Sequence, residues 1–226
     1  MTFTIMARDR ETGMFGVATA TRSLAVGARV PHVAPNLGAV AIMAIADPRL
    51  GRTALKLLET GYKAPGVIEE LLEADPNHEY RQLGVIDADG FAAARTGLHN
   101  RDWAGHHVRD GLIALGNVLV GENVLEAIER GYADAAAEPF EERLMCALEA
   151  GRDAGGQHGG QNSAALLVYA ERAYARVDLR VDVHEEPVGE LRRVWNSYKT
   201  ALDYYWRRQI DPTVQPLHEM VPDQNF

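Results

Sequence analysis

Short apolar runs separated by turn residues set the pattern of this chain. Thr2-Phe3-Thr4-Ile5-Met6-Ala7 and Met14 to Thr21 read as two strands, joined by the turn Arg8 to Gly13, so the chain opens on a hairpin. Arg22 to Asn36 reads as a loop with a short strand near Ala28 to Val30, and the continuous apolar run Gly38 to Ala44 reads as a buried strand. Asp47-Pro48 caps and starts a helix that runs to about Thr60, where Gly61 stops it. A second helix spans about Ala64 to Ala74 and ends at Asp75-Pro76. Gln82 to Asp87 and Phe91 to Arg95 form another hairpin around Asp89-Gly90. A polar loop, Thr96 to Asp110, precedes a strand at Leu112 to Leu115. Helices follow at about Glu122 to Ala136 and Pro139 to Ala150. The glycine-rich loop Gly151 to Gly160 leads to strands at Ser163 to Tyr169 and Ala175 to Val181. A last helix runs from Pro187 to about Arg208.

Helices therefore come in pairs between groups of hairpin strands, without the strict alternation of a parallel doubly wound sheet. That order predicts an α+β fold of two antiparallel sheets packed face to face, with helices outside: a four-layer α-β-β-α sandwich. Residues 1–195 read as this one domain. Residues 196–226 read as a C-terminal aromatic and basic helix and tail. There Tyr198, Tyr204, Tyr205 and Trp206 cluster near Trp195, Arg192, Arg193, Arg207 and Arg208, and Phe226 closes the stretch. This segment is expected to pack on the domain or on a second copy, hence a homo-oligomer.

Charge narrows the partners. The 226 residues carry 23 basic against 32 acidic side chains, a formal net charge of −9, which argues against a nucleic-acid partner. There is one cysteine, Cys146, set in a helical pattern that predicts a buried structural thiol. The N-terminus has no apolar leader and no run approaches the length of a membrane span, so the expected setting is the cytoplasm, with no membrane partner. A small-molecule substrate or ligand is the expected partner. No cofactor motif is read in the chain.

Thr2 is the first chemical candidate. A threonine at a free N-terminus carries a nucleophile and its own base, because an α-amine titrates at about 7.7 to 8.0. The bland alternative is one of many chains that begin Met-Thr. Asp178, Arg180, Asp182 and His184 alternate, and period two predicts that all four share a strand face open to solvent or a cleft. An edge strand laced with ion pairs and a substrate-binding acid-base cluster both fit that pattern, whereas a metal site lacks visible further ligands. His106, in Trp103-Ala104-Gly105-His106-His107, is a candidate acid or base, or simply a surface histidine. Arg81 opens a strand and could clamp a carboxylate, or pair with a neighbouring acid. Asn117 after Gly116 could donate to an oxyanion or cap a turn. The glycine loop lacks the Lys-Ser/Thr and the helix of a phosphate loop, so it reads as a loop over a cleft or a plain connection, and Gln161 at its end joins the substrate-binding candidates.

Several segments in order, among them Thr2 to Asp9, Gly13 to Ala18, Tyr80 to Asp87, Trp103 to His106, Gly116-Asn117, Gln161 to Val168 and Val177 to His184, resemble a bacterial domain-of-unknown-function family. That family is assigned to the N-terminal-nucleophile (Ntn) hydrolase-like superfamily, and the resemblance covers about residues 2–195. It implies the same four-layer sandwich. The superfamily implies a terminal Thr, Ser or Cys that attacks an amide carbonyl while its α-amine shuttles the proton. Only Thr2 transfers onto this chain directly, after loss of Met1. The strand after the first turn reads Val17-Ala18-Thr19-Ala20-Thr21, without the acid that proteasome-like members place there, and Arg22 is the nearest cation. The expectation is thus an amide hydrolase acting on a small acidic or amino-acid-derived amide. Thr2 would attack, Arg81 and Arg180 would bind a carboxylate, and His106 or Asn117 would serve the leaving group or oxyanion. The alternatives are a silent member that binds a small ligand, or an enzyme that uses the Asp178–His184 face.

Overall fold

The computed structural model describes residues 1–220. Two antiparallel sheets are built from ten strands. The larger has the order β10-β9-β2-β1-β8-β7, and the smaller β3-β4-β5-β6. In chain order these are β1 (Thr2–Arg8), β2 (Phe15–Thr21), β3 (Pro31–Ala34), β4 (Gly38–Ala44), β5 (Arg81–Asp87), β6 (Ala92–Thr96), β7 (Gly105–Arg109), β8 (Leu112–Asn117), β9 (Ser163–Tyr169) and β10 (Val177–Val181). The helices are α1 (Pro48–Glu59), α2 (Ala64–Ala74), α3 (Asn123–Asp134), α4 (Phe140–Asp153), α5 (Pro187–Arg208) and the short α6 (Leu217–Met220).

Three apolar layers show how the elements stack. Phe3, Ile5 and Ala7 of β1 pack with Ile128 of α3, Leu144 and Leu148 of α4, and Leu191 of α5. Met6, Val17, Ile113 and Leu115 of the larger sheet meet Ala39, Ala41, Met43 and Ile86 of the smaller one. Val40, Ile42, Leu83 and Val85 face Ala54, Leu58, Val67 and Leu71 of α1 and α2. The molecule is the four-layer α-β-β-α sandwich that the element order predicts. Strand β4 is apolar throughout because both of its faces are covered, while β1 and β5, covered in the same way, carry buried polar residues near their ends.

Side-chain alternation then fixes the faces. Phe3 and Ile5 point to the helices and Met6 to the opposite sheet, so Thr2 and Thr4 also face the opposite sheet. By the same count Thr21, Asn117 and Gln82 turn into the layer between the sheets, at the end where β1 begins. The interior of the sandwich is oily along its length and polar at that end.

Two expected elements differ. The short strand near 28–30 is a 3-10 turn, Val26–Ala28, and the strand follows at Pro31–Ala34. Pro31 lacks an N–H, and it opens an edge strand, where the loss is tolerated. The polar loop 96–110 holds β7, the opposite edge of the larger sheet, whose His106 and His107 mask its strand character.

Helix α5 runs unbroken through residue 195, with Trp195, Leu202 and Tyr204 buried. The aromatic residues expected to seek a partner meet one another and nearby arginines. Tyr198 stacks on Tyr205 at 5.4 Å, and Trp206 lies 4.1 Å from the Arg172 guanidinium. Phe226 lies outside the described residues. No helix among the described residues is long and apolar enough to cross a membrane.

Candidate functional site

Thr2 heads β1, directly opposite Thr21 of β2 on one side and Asn117 of β8 on the other. Its hydroxyl is 3.0 Å from that of Thr21, and Thr21 in turn donates to the Met1 carbonyl. The Thr21 proton is therefore spent, and Thr2 is the donor of the pair. Thr2 is 5% exposed and opens on a small cavity of about 60 Å³, lined also by Thr21, Ser23, Leu24, Val26, Arg29, Val30, Ala44 and Ala46. That volume admits a functional group but not a whole substrate. A larger molecule would leave its body outside.

The Met1 ammonium donates to Asn117 Oδ1 at 2.6 Å. Burial, and then the Arg101 guanidinium, push that amine down to about 6. Both causes disfavour the charged form, so near pH 7 the amine is largely a free base. Below it, Asn117 Nδ2 donates to Gln82 Oε1 at 2.9 Å. Gln82 is fully buried, and its Nε2 faces Gly105 O, Gly116 O and Thr96 Oγ1 at 2.9, 2.8 and 3.0 Å. Thr96 Oγ1 is 2.8 Å from His106 Nδ1. One chain of polar contacts thus runs from the terminal amine through both sheets to His106. His106 lines a separate cleft with Leu98, Asn100 and Asp102. Burial, then Arg95 and His107, lower its pKa, which favours the neutral ring.

The other sequence candidates stand elsewhere. Arg81 is buried, but Nε donates to Asp75 Oδ2 at 2.8 Å and Nη1 to Ile45 O, so its guanidinium is already committed. Strand β10 ends at Val181. Asp178 and Arg180 are exposed on it, while Asp182 and His184 follow in an irregular segment, so the four do not form one strand face. Arg180 closes on Asp182 at 3.0 Å, and His184 Nδ1 accepts from the Glu186 N–H. Period two fails there because the strand stops as the chain turns toward α5. Gln161 is half-buried beside Gly156 and Phe3. Cys146 bonds weakly to Glu142 at 3.8 Å, and burial raises its thiol pKa. Among the described residues no group of three or more His, Cys, Asp or Glu is placed to hold a metal ion.

Three cations gain importance from the structure. Arg29 lines the cavity, Arg101 acts on the amine, and Arg22 lies against Gly159. All three are exposed, and none makes an ion pair among the described residues. Gln82, Thr21 and Thr96 also went unassigned. The available signal was a polar residue inside an otherwise apolar strand, which a buried hydrogen-bonded group requires.

These features define an α+β four-layer sandwich with a hydroxyl and an amine at the head of an inner strand. The chain belongs to the family of unknown function DUF1028, whose model matches residues 2–191. It is similar to a crystal structure of a Silicibacter pomeroyi protein of that family, at 36% identity and a TM-score of 0.84, covering 92% of this chain and 94% of that one. Weaker likenesses are to Anbu, an ancestral beta-subunit, from Yersinia bercovieri (12% identity, TM-score 0.40, 90% and 97% covered) and to an Anbu mutant from a Hyphomicrobium strain (11%, 0.38, 96% and 99%). No curated protein matches the chain.

Proposed function

We propose that this protein is an amide-bond hydrolase of the N-terminal-nucleophile type, acting on a small acidic or amino-acid-derived amide, once Met1 is removed. The observation that carries the reading is the seat of Thr2: a buried hydroxyl on an inner strand, facing a cavity between the sheets, beside an acceptor already aimed at the chain terminus. Loss of Met1 leaves the α-amine on Thr2. It also removes the carbonyl to which Thr21 donates, freeing that hydroxyl to turn toward Thr2 or the substrate.

The chemistry follows from those groups. The Thr2 amine takes the hydroxyl proton as Oγ1 bonds to the amide carbon. The C–N bond then breaks, and the proton passes from the amine to the departing nitrogen. Water hydrolyses the resulting ester by the same proton route and frees Thr2. Burial, and then Arg101, lower the pKa of the amine that Met1 carries, and they are assigned the same tuning of the Thr2 amine, in place of the acid and lysine of proteasome-like members. The acidic part of the substrate is assigned to Arg29, Arg101 and Arg22, which make no ion pair among the described residues, in preference to Arg81 and Arg180, which are paired. The protein is read as cytoplasmic. The homo-oligomer also stays a proposal, and static light scattering checks it.

The test is intact-mass spectrometry of untagged protein after exposure to a β-lactone, with the adduct mapped by peptide sequencing. Absence of Met1 and a single adduct on Thr2 is the expected result. A mature Thr2 that takes no adduct, or a retained Met1, would leave ligand binding without turnover as the better reading.

A further inference from the structure

The Gln82 contacts fix which way two amides point. Gly105 O and Gly116 O are backbone carbonyls and can only accept, so the group 2.9 and 2.8 Å from them must be the Gln82 nitrogen. Gln82 Oε1 then faces Asn117, and an oxygen there can be met only by the Asn117 nitrogen, at 2.9 Å. Asn117 Oδ1 is left on the opposite side, 2.6 Å from the terminal ammonium. Each orientation is dictated by the one before it. A flip of Asn117 would set its oxygen face to face with Gln82 Oε1, two acceptors with no proton between them. Gln82 and Asn117 are 0% and 2% exposed, so water cannot relieve that clash.

We propose that Gln82 is a positioning residue: held by two glycine carbonyls of the larger sheet, it locks Asn117 with its oxygen toward the chain terminus. Asn117 then presents an acceptor, not an oxyanion donor, to the chain terminus, where it holds the Met1 amine. The smaller sheet, through β5, thereby sets the orientation of a group on the larger one. Thr96 plays no part in this choice. Its hydroxyl also meets the Gln82 nitrogen, at 3.0 Å, but the carbonyls alone decide the orientation. The catalytic meaning of the acceptor rests on the amide-hydrolase reading, whereas the amide geometry does not.

The test reads the amine directly. The rate of α-amine acetylation by acetic anhydride, followed across pH and mapped by mass spectrometry, gives its pKa whichever residue carries it. An acceptor on an ammonium favours the charged form, so Gln82→Leu and Asn117→Leu should each lower the amine pKa, by about one unit. Thr96→Val should leave it in place. Circular dichroism in the near ultraviolet confirms that each variant is folded. An unchanged amine pKa in folded Gln82→Leu would overturn the proposal. So would an equal shift in Thr96→Val, which would mark a general loosening of the layer. If Gln82→Leu does not fold, the wild type answers instead. Nuclear Overhauser effects from the Asn117 side-chain NH₂ to Gln82 support the lock, and effects to the N-terminal residue refute it. Acetylation needs no turnover, so a shifted amine with no β-lactone adduct would uphold the lock and reject the hydrolase.

Discussion

Thr2 and Thr21 stand directly opposite each other at the open end of the β1–β2 pair, their hydroxyl oxygens 3.0 Å apart. Thr2→Ala removes one neutral hydrogen bond and should lower stability by only about 1 kcal/mol in urea. It should abolish the β-lactone adduct. Thr21→Val should slow adduct formation on the order of 10²-fold, the usual cost of losing one well-placed donor. An equal rate in Thr21→Val would show that Thr21 takes no part in the attack once Met1 is gone.

Arg81 and Asp75 are both 7% exposed and share a 2.8 Å ion pair. Arg81→Met leaves Asp75 buried without its partner, and such losses cost about 3–5 kcal/mol. Chemical denaturation should show a drop of that order. Burial alone would raise the Asp75 pKa, but the Arg81 hydrogen bond, with help from the Asn77 N–H, holds it below its ordinary 3.8. A lowered carboxylate adds stability above its unfolded pKa and loses it as pH falls through the folded value. The wild type should therefore weaken as pH drops below about 4, and Asp75→Asn should flatten that limb.

The terminal amine works on the other side of neutrality. On a chain that keeps Met1, its folded value of about 6 lies below the ordinary 8.0, so between these the unfolded chain binds more protons. Its contribution to stability should rise as pH climbs from about 6 to 8, seen as a shift in the urea midpoint. Arg101→Met removes the second cause of the depression. The amine pKa should move up but stay below 8.0, because burial, the larger cause, persists.

Gly97 ends the hairpin beside the His106 cleft, and an added Cβ there would fall 2.4 Å from the Glu79 carbonyl oxygen. Backbone on both sides cannot yield cheaply. Gly97→Ala should cost about 1–3 kcal/mol or more and disturb the cleft, read as a lower melting temperature. Gly66 of α2 makes a useful contrast, since its Cβ would meet only Tyr62 at 3.4 Å.

The sandwich was legible because apolar runs of strand length alternate with capped helices, as at Asp47-Pro48, where the Asp47 side chain accepts from the Arg49 N–H. Thr2 was legible from its position alone. Asn117 and His106 were legible as candidates, but Gln82, Thr21 and Thr96, which look like ordinary strand members, were not. Gln82, Thr96 and Asn117 come from β5, β6 and β8, and only the packing of two sheets brings them into one chain of contacts. Arg81 and Arg180 failed as free clamps for a related reason: their acids, Asp75 and Asp182, are close in space, and sequence does not say which charges are already spent. β7 escaped notice because an edge strand half-open to water carries no apolar run.

Arg29, Arg101 and Arg22, exposed and without an ion pair among the described residues, sit on a body whose formal charge is −9. Two fields of opposite sign and different reach therefore act on any anion that approaches. At about 0.15 M salt the screening length is about 8 Å, and only the guanidinium groups near the cavity are felt. At about 0.01 M it is about 30 Å, and the repulsion of the whole surface returns. Capture of an acidic molecule should be fastest at an intermediate ionic strength, so the fold filters its visitors by salt as well as by shape.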